Sequence, residues 1–174
     1  MEIRVLAEAD LAAYKTLRDH ALSHHDEAFT SDAATEAMRT AQSYSARLGL
    51  GGETEGTGDG SYTLGAWRND RLVGSITCER DPRSKVRHVG HIVGMMVLSD
   101  EQGQGVGRAL LETLIARAQA DAELHLLTLS VTASTARAVR LYQRAGFIGY
   151  GALPRAIRVA GRFFDKQLMQ LTLR

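Results

Sequence analysis

The segment Gln102-Gly103-Gln104-Gly105-Val106-Gly107-Arg108 alternates glycine with other residues just ahead of a run whose apolar residues recur at helical period. Glycines so placed let a turn aim its N–H groups inward and let an anion approach without meeting a Cβ. A helix starting there adds unpaired donors and the positive end of its dipole, so the chemistry on offer is the gripping of a diphosphate. Two nucleotide-binding patterns are excluded by the residues. A dinucleotide fingerprint needs glycine where Arg108 stands, and a Walker loop needs Gly-Lys followed by Ser or Thr. A flexible turn before a surface helix is the plainer alternative. His24, His25 and Asp26 imitate a metal cluster, but adjacent histidines at a helix end diverge, and no metal is expected. Cys78 lacks an evident activating partner and reads as a small buried hydrophobe, not as an acyl carrier.

Elements on both sides must hold that turn in place. Val106, Leu110, Leu111, Leu114, Ile115 and Ala118 form one apolar stripe, and Leu124 to Val131 reads as a buried strand behind it. Arg87 to Leu98, rich in Val, Ile and Met, leads into the turn as a longer strand. A strand, a crossover helix and a parallel strand follow from this. Upstream, Glu2 to Ala7 alternates as a strand. Asp10 then caps a helix carrying Leu11, Tyr14, Leu17 and Ala21, and Ser31 or Asp32 caps a second helix running to about Leu48. Tyr62 to Arg68 and Arg71 to Arg80 make a hairpin about Asn69-Asp70. Thr135 to Ala145 is a helix ended by Gly146, and Phe147 to Val159 and Arg162 to Leu173 are strands about Ala160-Gly161. Six glycines between Gly49 and Gly60 predict a mobile surface loop at about 49–60 within a single domain, 1–174.

The 174 residues suffice for one core without disulfides or metals, and the single cysteine fits a reducing, cytoplasmic compartment. Lys and Arg number 21 against 20 Asp and Glu, so no global field favours nucleic acid or a membrane surface. The N-terminal residues lack the pattern of a signal peptide, and no apolar run is long enough to span a bilayer.

Three ordered motifs together resemble the GCN5-related N-acetyltransferase (GNAT) family. Gln102-x-x-Gly105-x-Gly107 matches its Gln/Arg-x-x-Gly-x-Gly/Ala signature, and Met95-Met96-Val97 precedes it as the family's central strand does. Ala138-Val139-Arg140-Leu141-Tyr142-Gln143-Arg144-Ala145-Gly146-Phe147 is similar to its Ala-x-x-Leu-Tyr-x-x-x-Gly-Phe helix end. Ile3-Arg4, Glu27-Ala28-Phe29 and the segment from Pro154 to Asp165 resemble members acting on small amines, so the likeness covers essentially the whole chain. It implies an α/β (α+β) fold with a mixed, twisted sheet, helices on both faces, the order βααβββαβαββ, and a V opening between the strands around Met95 and Leu129. The implied activity is direct acetyl transfer from acetyl-CoA to the primary amine of a small molecule in a ternary complex. A protein or peptide N-acetyltransferase and a non-catalytic acetyl-CoA sensor are the alternatives. A homodimer is left open.

The same resemblance implies roles for single residues. Met95, Met96 and Val97 would offer main chain to the pantetheine arm of coenzyme A. Gln102, Gly103, Gln104, Gly105, Val106 and Gly107 would hold the diphosphate with Arg108 adding charge, and Ala138 and Tyr142 would lie beside the cofactor. Tyr142 would protonate the departing thiolate, since a phenol of pKa about 10 keeps its proton at neutral pH. Thr135 stands where the family often has asparagine, and either touches the cofactor or caps the helix. The acceptor must be deprotonated: a lysine-like amine gives up about 4.6 kcal/mol at pH 7, an α-amino group only about 1. His91, Glu79 or water would serve as base. Phe29, Ser31 and Trp67 are placed in the acceptor pocket.

Overall fold

A computed structural model describes residues 1–50 and 60–174, so residues 51–59 of the expected glycine-rich loop lie outside the described residues. Asn69 and Asp70 adopt positive φ of 49° and 60°, the two-residue turn whose twist matches a hairpin, and join β2 (Tyr62–Arg68) to β3 (Arg71–Arg80). Ala160 and Gly161, with φ of 46° and 80°, do the same between β6 (Ile148–Val159) and β7 (Arg162–Thr172). β1 (Glu2–Val5), β4 (Val89–Val97) and β5 (Leu126–Thr132) complete a seven-stranded sheet in the order β1-β2-β3-β4-β5-β7-β6. Only β4 and β5 pair in parallel; every other neighbouring pair is antiparallel.

The crossover is α3 (Val106–Ala120), whose Val106, Leu110, Leu111, Leu114 and Ala118 are buried as their spacing predicts. They pack where β3 carries no side chain at Gly74. A Cβ there would stand 2.9 Å from the Met96 carbonyl and 2.9 Å from Val106 Cγ1. The other face is covered by α1 (Leu11–His24), with Leu11, Tyr14, Leu17 and Ala21 inward. α4 (Ala136–Arg144) ends at Gly146, which takes the left-handed φ of 95° expected of a helix terminator. The element order is the expected βααβββαβαββ. No described helix is long and apolar enough to cross a membrane.

Two local expectations are corrected. The second helix, α2, is confined to Ala33–Ala37, and residues 41–44 and 46–48 form 3-10 turns instead of continuing to Leu48. Asp32 does cap α2, accepting from the Ala34 and Thr35 N–H groups. Thr40 is then extended and its carbonyl receives the Ser43 hydroxyl at 2.7 Å, a side-chain bond that competes with helix continuation. Asp10 does not cap α1. Its carboxylate turns back to Arg4, at 2.7 and 2.9 Å, and accepts from the Ala7 N–H.

Candidate active site

β4 and β5 pair over four residues, from Val89 opposite Leu126 to Ile92 opposite Leu129, and then separate. The divergence begins where Gly94 takes a φ of 61° and the register with β3 shifts. Beyond it, β5 stays with β7 as far as Thr132, while β4 stays with β3, so Met95, Met96 and Val97 are left with one edge unpaired. That edge opens on a cavity of about 910 Å³.

The glycine turn lines the same cavity. Gly103 and Gly105 have φ of 85° and 82°, and a Cβ on Gly105 would meet no atom within 4 Å. The N–H groups of Gly103, Gly105, Val106, Gly107 and Arg108 find no acceptor among the described residues. Gln102, Gly103, Gly105, Val106, Gly107 and Arg108 line the cavity, together with Met95, Met96, Val97, Thr135 and Ala138. Gln104 does not: its amide donates to the Asp100 carbonyl at 2.9 Å and its oxygen accepts from Arg68. Thr135 starts α4 without a side-chain capping bond, leaving its hydroxyl to the cavity. Tyr142, on α4 with the lining residues Ala138, Leu141 and Ala145, is not itself among the lining residues; it is 6% exposed and edge-on to Phe147. Burial pushes its phenol up, so it keeps its proton through the neutral range.

Sequence reasoning missed the cationic side of this cavity. Arg137, Arg140 and Arg144 line it from successive turns of α4 and have no carboxylate partner among the described residues. Their i, i+3, i+7 spacing was the available signal. Arg108 is less free, being hydrogen-bonded to Glu112 at 2.8 Å. His25 also lines the cavity and shares a 3.0 Å hydrogen bond with the Gln102 amide. Unpaired N–H groups, uncommitted guanidinium groups and an open path at Gly105 fit a long polyanion such as coenzyme A.

On the α1 side of the sheet, Glu79, His91 and Thr128 form a row across β3, β4 and β5, one rung before the strands part. His91 Nδ1 and Thr128 Oγ1 are 2.6 Å apart, and Glu79 lies 3.5 Å from Arg47. The two candidate bases are thus neighbours on one surface. Beside them a second hollow, of about 370 Å³, includes Ser31, whose hydroxyl accepts from Arg18 at 2.9 Å. Phe29 belongs to the larger cavity instead. Trp67 lines neither: β2 pairs it with Glu2 at the far end of the strand, where the Arg4 guanidinium covers its ring at 4.6 Å. Cys78 is fully buried, and burial pushes its thiol up to about 11, which suits packing and not acyl carriage. His24 Nδ1 lies 2.8 Å from the His20 carbonyl and His25 Nε2 3.0 Å from the Gln102 amide, and no cluster of metal-ligating side chains occurs among the described residues.

Comparison with known proteins agrees with this geometry. Residues 18–147 match the family model described as "Acetyltransferase (GNAT) family". The chain is 28% identical to the L-amino acid N-acyltransferase MnaT of Escherichia coli (strain K12), over 99% of this chain and 94% of that protein. It is 36% identical to an L-methionine sulfoximine/L-methionine sulfone acetyltransferase of Pseudomonas paraeruginosa, over 44% of each chain. Among solved structures, a GNAT-family acetyltransferase of Streptococcus pneumoniae superposes with a TM-score of 0.80 at 25% identity, covering 98% of both chains. A Salmonella typhimurium acetyltransferase solved with its cofactor acetyl-CoA gives a TM-score of 0.78 at 24% identity, covering 100% of this chain and 94% of that one. With the glycine turn, the parted strands and the match to the family model in agreement, the chain belongs to the GNAT family and is an N-acetyltransferase.

Proposed function

We propose that this enzyme transfers an acetyl group from acetyl-CoA to the primary amine of a small, amino-acid-like molecule by direct attack in a ternary complex. The observation that carries the reading is the unpaired edge of Met95 to Val97 facing a turn whose N–H groups also lack acceptors. One supplies strand-like pairing for an amide-bearing arm, the other a seat for its diphosphate. Acetyl-CoA when bound supplies an activated acyl carbon. MnaT and the sulfoximine acetyltransferase, named for amino-acid substrates, support an acceptor of that class.

In this scheme Met95, Met96 and Val97 orient the donor through main chain, and Gly103 and Gly105 to Arg108 fix its anionic end. Thr135 and Ala138 pack along it, and the arginines of α4 add charge. Glu79, His91 or a water takes one proton from the acceptor's ammonium. The freed nitrogen attacks the acyl carbon, an N–C bond forms and the C–S bond breaks. Tyr142 donates a proton to the departing sulfur and is replenished from the proton that the nitrogen sheds as the amide forms. The lone cysteine, buried and reduced, supports placing the enzyme in a reducing compartment such as the cytoplasm.

The test is an amine library assayed by release of free thiol, with calorimetry of acetyl-CoA binding alongside. Tyr142→Phe is expected to lower kcat by about 100-fold while leaving cofactor affinity within about twofold. An unchanged kcat would remove Tyr142 from the chemistry. No heat of association with acetyl-CoA would reject the donor, and no amine turned over would reject the reaction.

A further inference from the structure

Beside the turn of β4 at Gly94, several polar groups converge on the α1 face of the sheet. A Cβ on Gly94 would stand 3.6 Å from Thr77 Oγ1, 3.7 Å from an Arg47 guanidinium nitrogen and 3.9 Å from Tyr14 Oη. Tyr14 is 0% exposed, and its hydroxyl has no hydrogen-bond partner among the described residues. Keeping a buried hydroxyl unpaired is costly, so one left 3.9 Å from the side-chain position that Gly94 leaves empty points to a ligand group that completes it. Desolvation by burial holds that phenol above its ordinary value, so it has a proton to donate.

Arg47 is built to receive an anion. Its backbone is fixed by the Thr63 hydroxyl, which donates to the Arg47 carbonyl at 2.8 Å and accepts from Thr77 at 2.8 Å. Its one ionic partner among the described residues is Glu79, at 3.5 Å, and the two side chains are 31% and 41% exposed. The neighbouring Arg18 and Glu36, by contrast, are locked at 2.6 Å with 5% and 7% exposure. Arg47 and Glu79 therefore form a loose, solvent-reachable pair of opposite charges, which a ligand carrying one charge of each sign can part and pair with in turn.

We propose that this constellation receives the zwitterion of a free α-amino acid: Arg47 and Tyr14 hold its α-carboxylate beside Gly94, and Glu79, released from Arg47, takes its α-ammonium. The assignment rests on the acetyltransferase reading above and names the acceptor's binding groups. It sets the nitrogen on the surface that also carries His91, one rung from the parting of β4 and β5. The adjoining hollow of about 370 Å³, with Arg18, Ser31 and Tyr44 on its wall, takes a short polar side chain. A polyamine is disfavoured, because four arginines line that hollow (Arg18, Arg39, Arg47 and Arg80) against two glutamates (Glu36 and Glu79). An internal peptide amine lacks the carboxylate altogether.

The test pairs each of a panel of L-amino acids, methionine sulfone included, with its carboxamide and its decarboxylated amine. Thiol release is followed for the wild type, Arg47→Ala, Arg47→Lys and Tyr14→Phe. The wild type should favour the best acid over its amide by about 30-fold or more in kcat/KM. Arg47→Ala should lower kcat/KM for the acid about 100-fold, mainly through KM, and change that for the amide less than about threefold, with Arg47→Lys between. Tyr14→Phe, which removes only an unpaired oxygen, should keep the wild-type Tm and lose about tenfold on the acid alone. Equal losses for acid and amide would make both residues merely structural and overturn the proposal. Wild-type turnover of amides or simple amines as good as that of acids would overturn it while leaving the acetyltransferase reading intact. No turnover of any panel member would overturn it as well, and the heat of acetyl-CoA binding would then report separately on the donor site.

Discussion

Gly105 and Gly161 make a matched pair for testing the anion seat. They have φ of 82° and 80°, and a Cβ at either would meet no atom within 4 Å. Alanine at either position therefore carries the same conformational penalty, about 1–2 kcal/mol for an L-residue in the left-handed region, and no steric one. For a domain of this size that corresponds to a fall in Tm of roughly 2–8 °C. The positions differ in what occupies the empty space. Gly161 turns the β6–β7 hairpin, whereas Gly105 lines the large cavity where the unpaired N–H groups gather. A methyl group there holds an anion away from the main chain and weakens one or two charge-assisted hydrogen bonds, a loss of about 10- to 100-fold in affinity. Calorimetric titration with coenzyme A, beside thermal melts of both variants, measures the two effects separately. Similar destabilisation with weakened binding only in Gly105→Ala is the expected result. Unchanged affinity in Gly105→Ala, or equal weakening in both variants, would refute the argument that the turn is a diphosphate seat.

Two further outcomes concern stability. Burial alone would raise the Glu36 carboxyl, but Arg18 at 2.6 Å, Tyr44 at 2.8 Å and Arg39 at 3.1 Å outweigh it and hold the group at about 2 against an ordinary 4.5. Because the folded value is depressed, this contribution is complete above about pH 4.5 and is lost as pH falls toward 2. Urea midpoints should show Glu36→Gln weaker than wild type by about 3 kcal/mol at neutral pH and with a flatter decline below pH 4.5. Gly74→Ala would drive a methyl to 2.9 Å from the Met96 carbonyl and 2.9 Å from Val106 Cγ1, and should cost about 1–3 kcal/mol in the same assay.

What could be read from the sequence was whatever local chain chemistry decides. The turn from Gln102 to Arg108 declares itself because an anion cradle is made of main chain and needs only glycines and a helix start. The hairpins at Asn69-Asp70 and Ala160-Gly161 are equally local, and α3 shows its stripe because one continuous face is buried. Features that depend on distant residues meeting were hidden. Tyr14 and Arg47 come from different elements and meet only in the folded chain, beside Gly94, and glycine inside a strand was the one available hint. Trp67 was misplaced because its strand's register with β1, not its chemistry, decides where it stands. α2 was drawn too long because Thr40 and Ser43 satisfy the main chain with side-chain oxygens, a competition that apolar periodicity does not register. Nothing local in the sequence marks Arg18 and Glu36 as partners, and only the packing of α1 against α2 makes them a buried pair.

The four rungs that join β4 to β5 have a consequence for how such an enzyme changes its donor. The aperture between the strands is set by a residue count and by where one glycine bends the backbone, not by the bulk of side chains around it. Such an opening is stiff, because widening it means unzipping main-chain bonds. A descendant handling larger acyl groups would get there more directly by shifting the bend one position than by trimming the walls, at the expense of a rung.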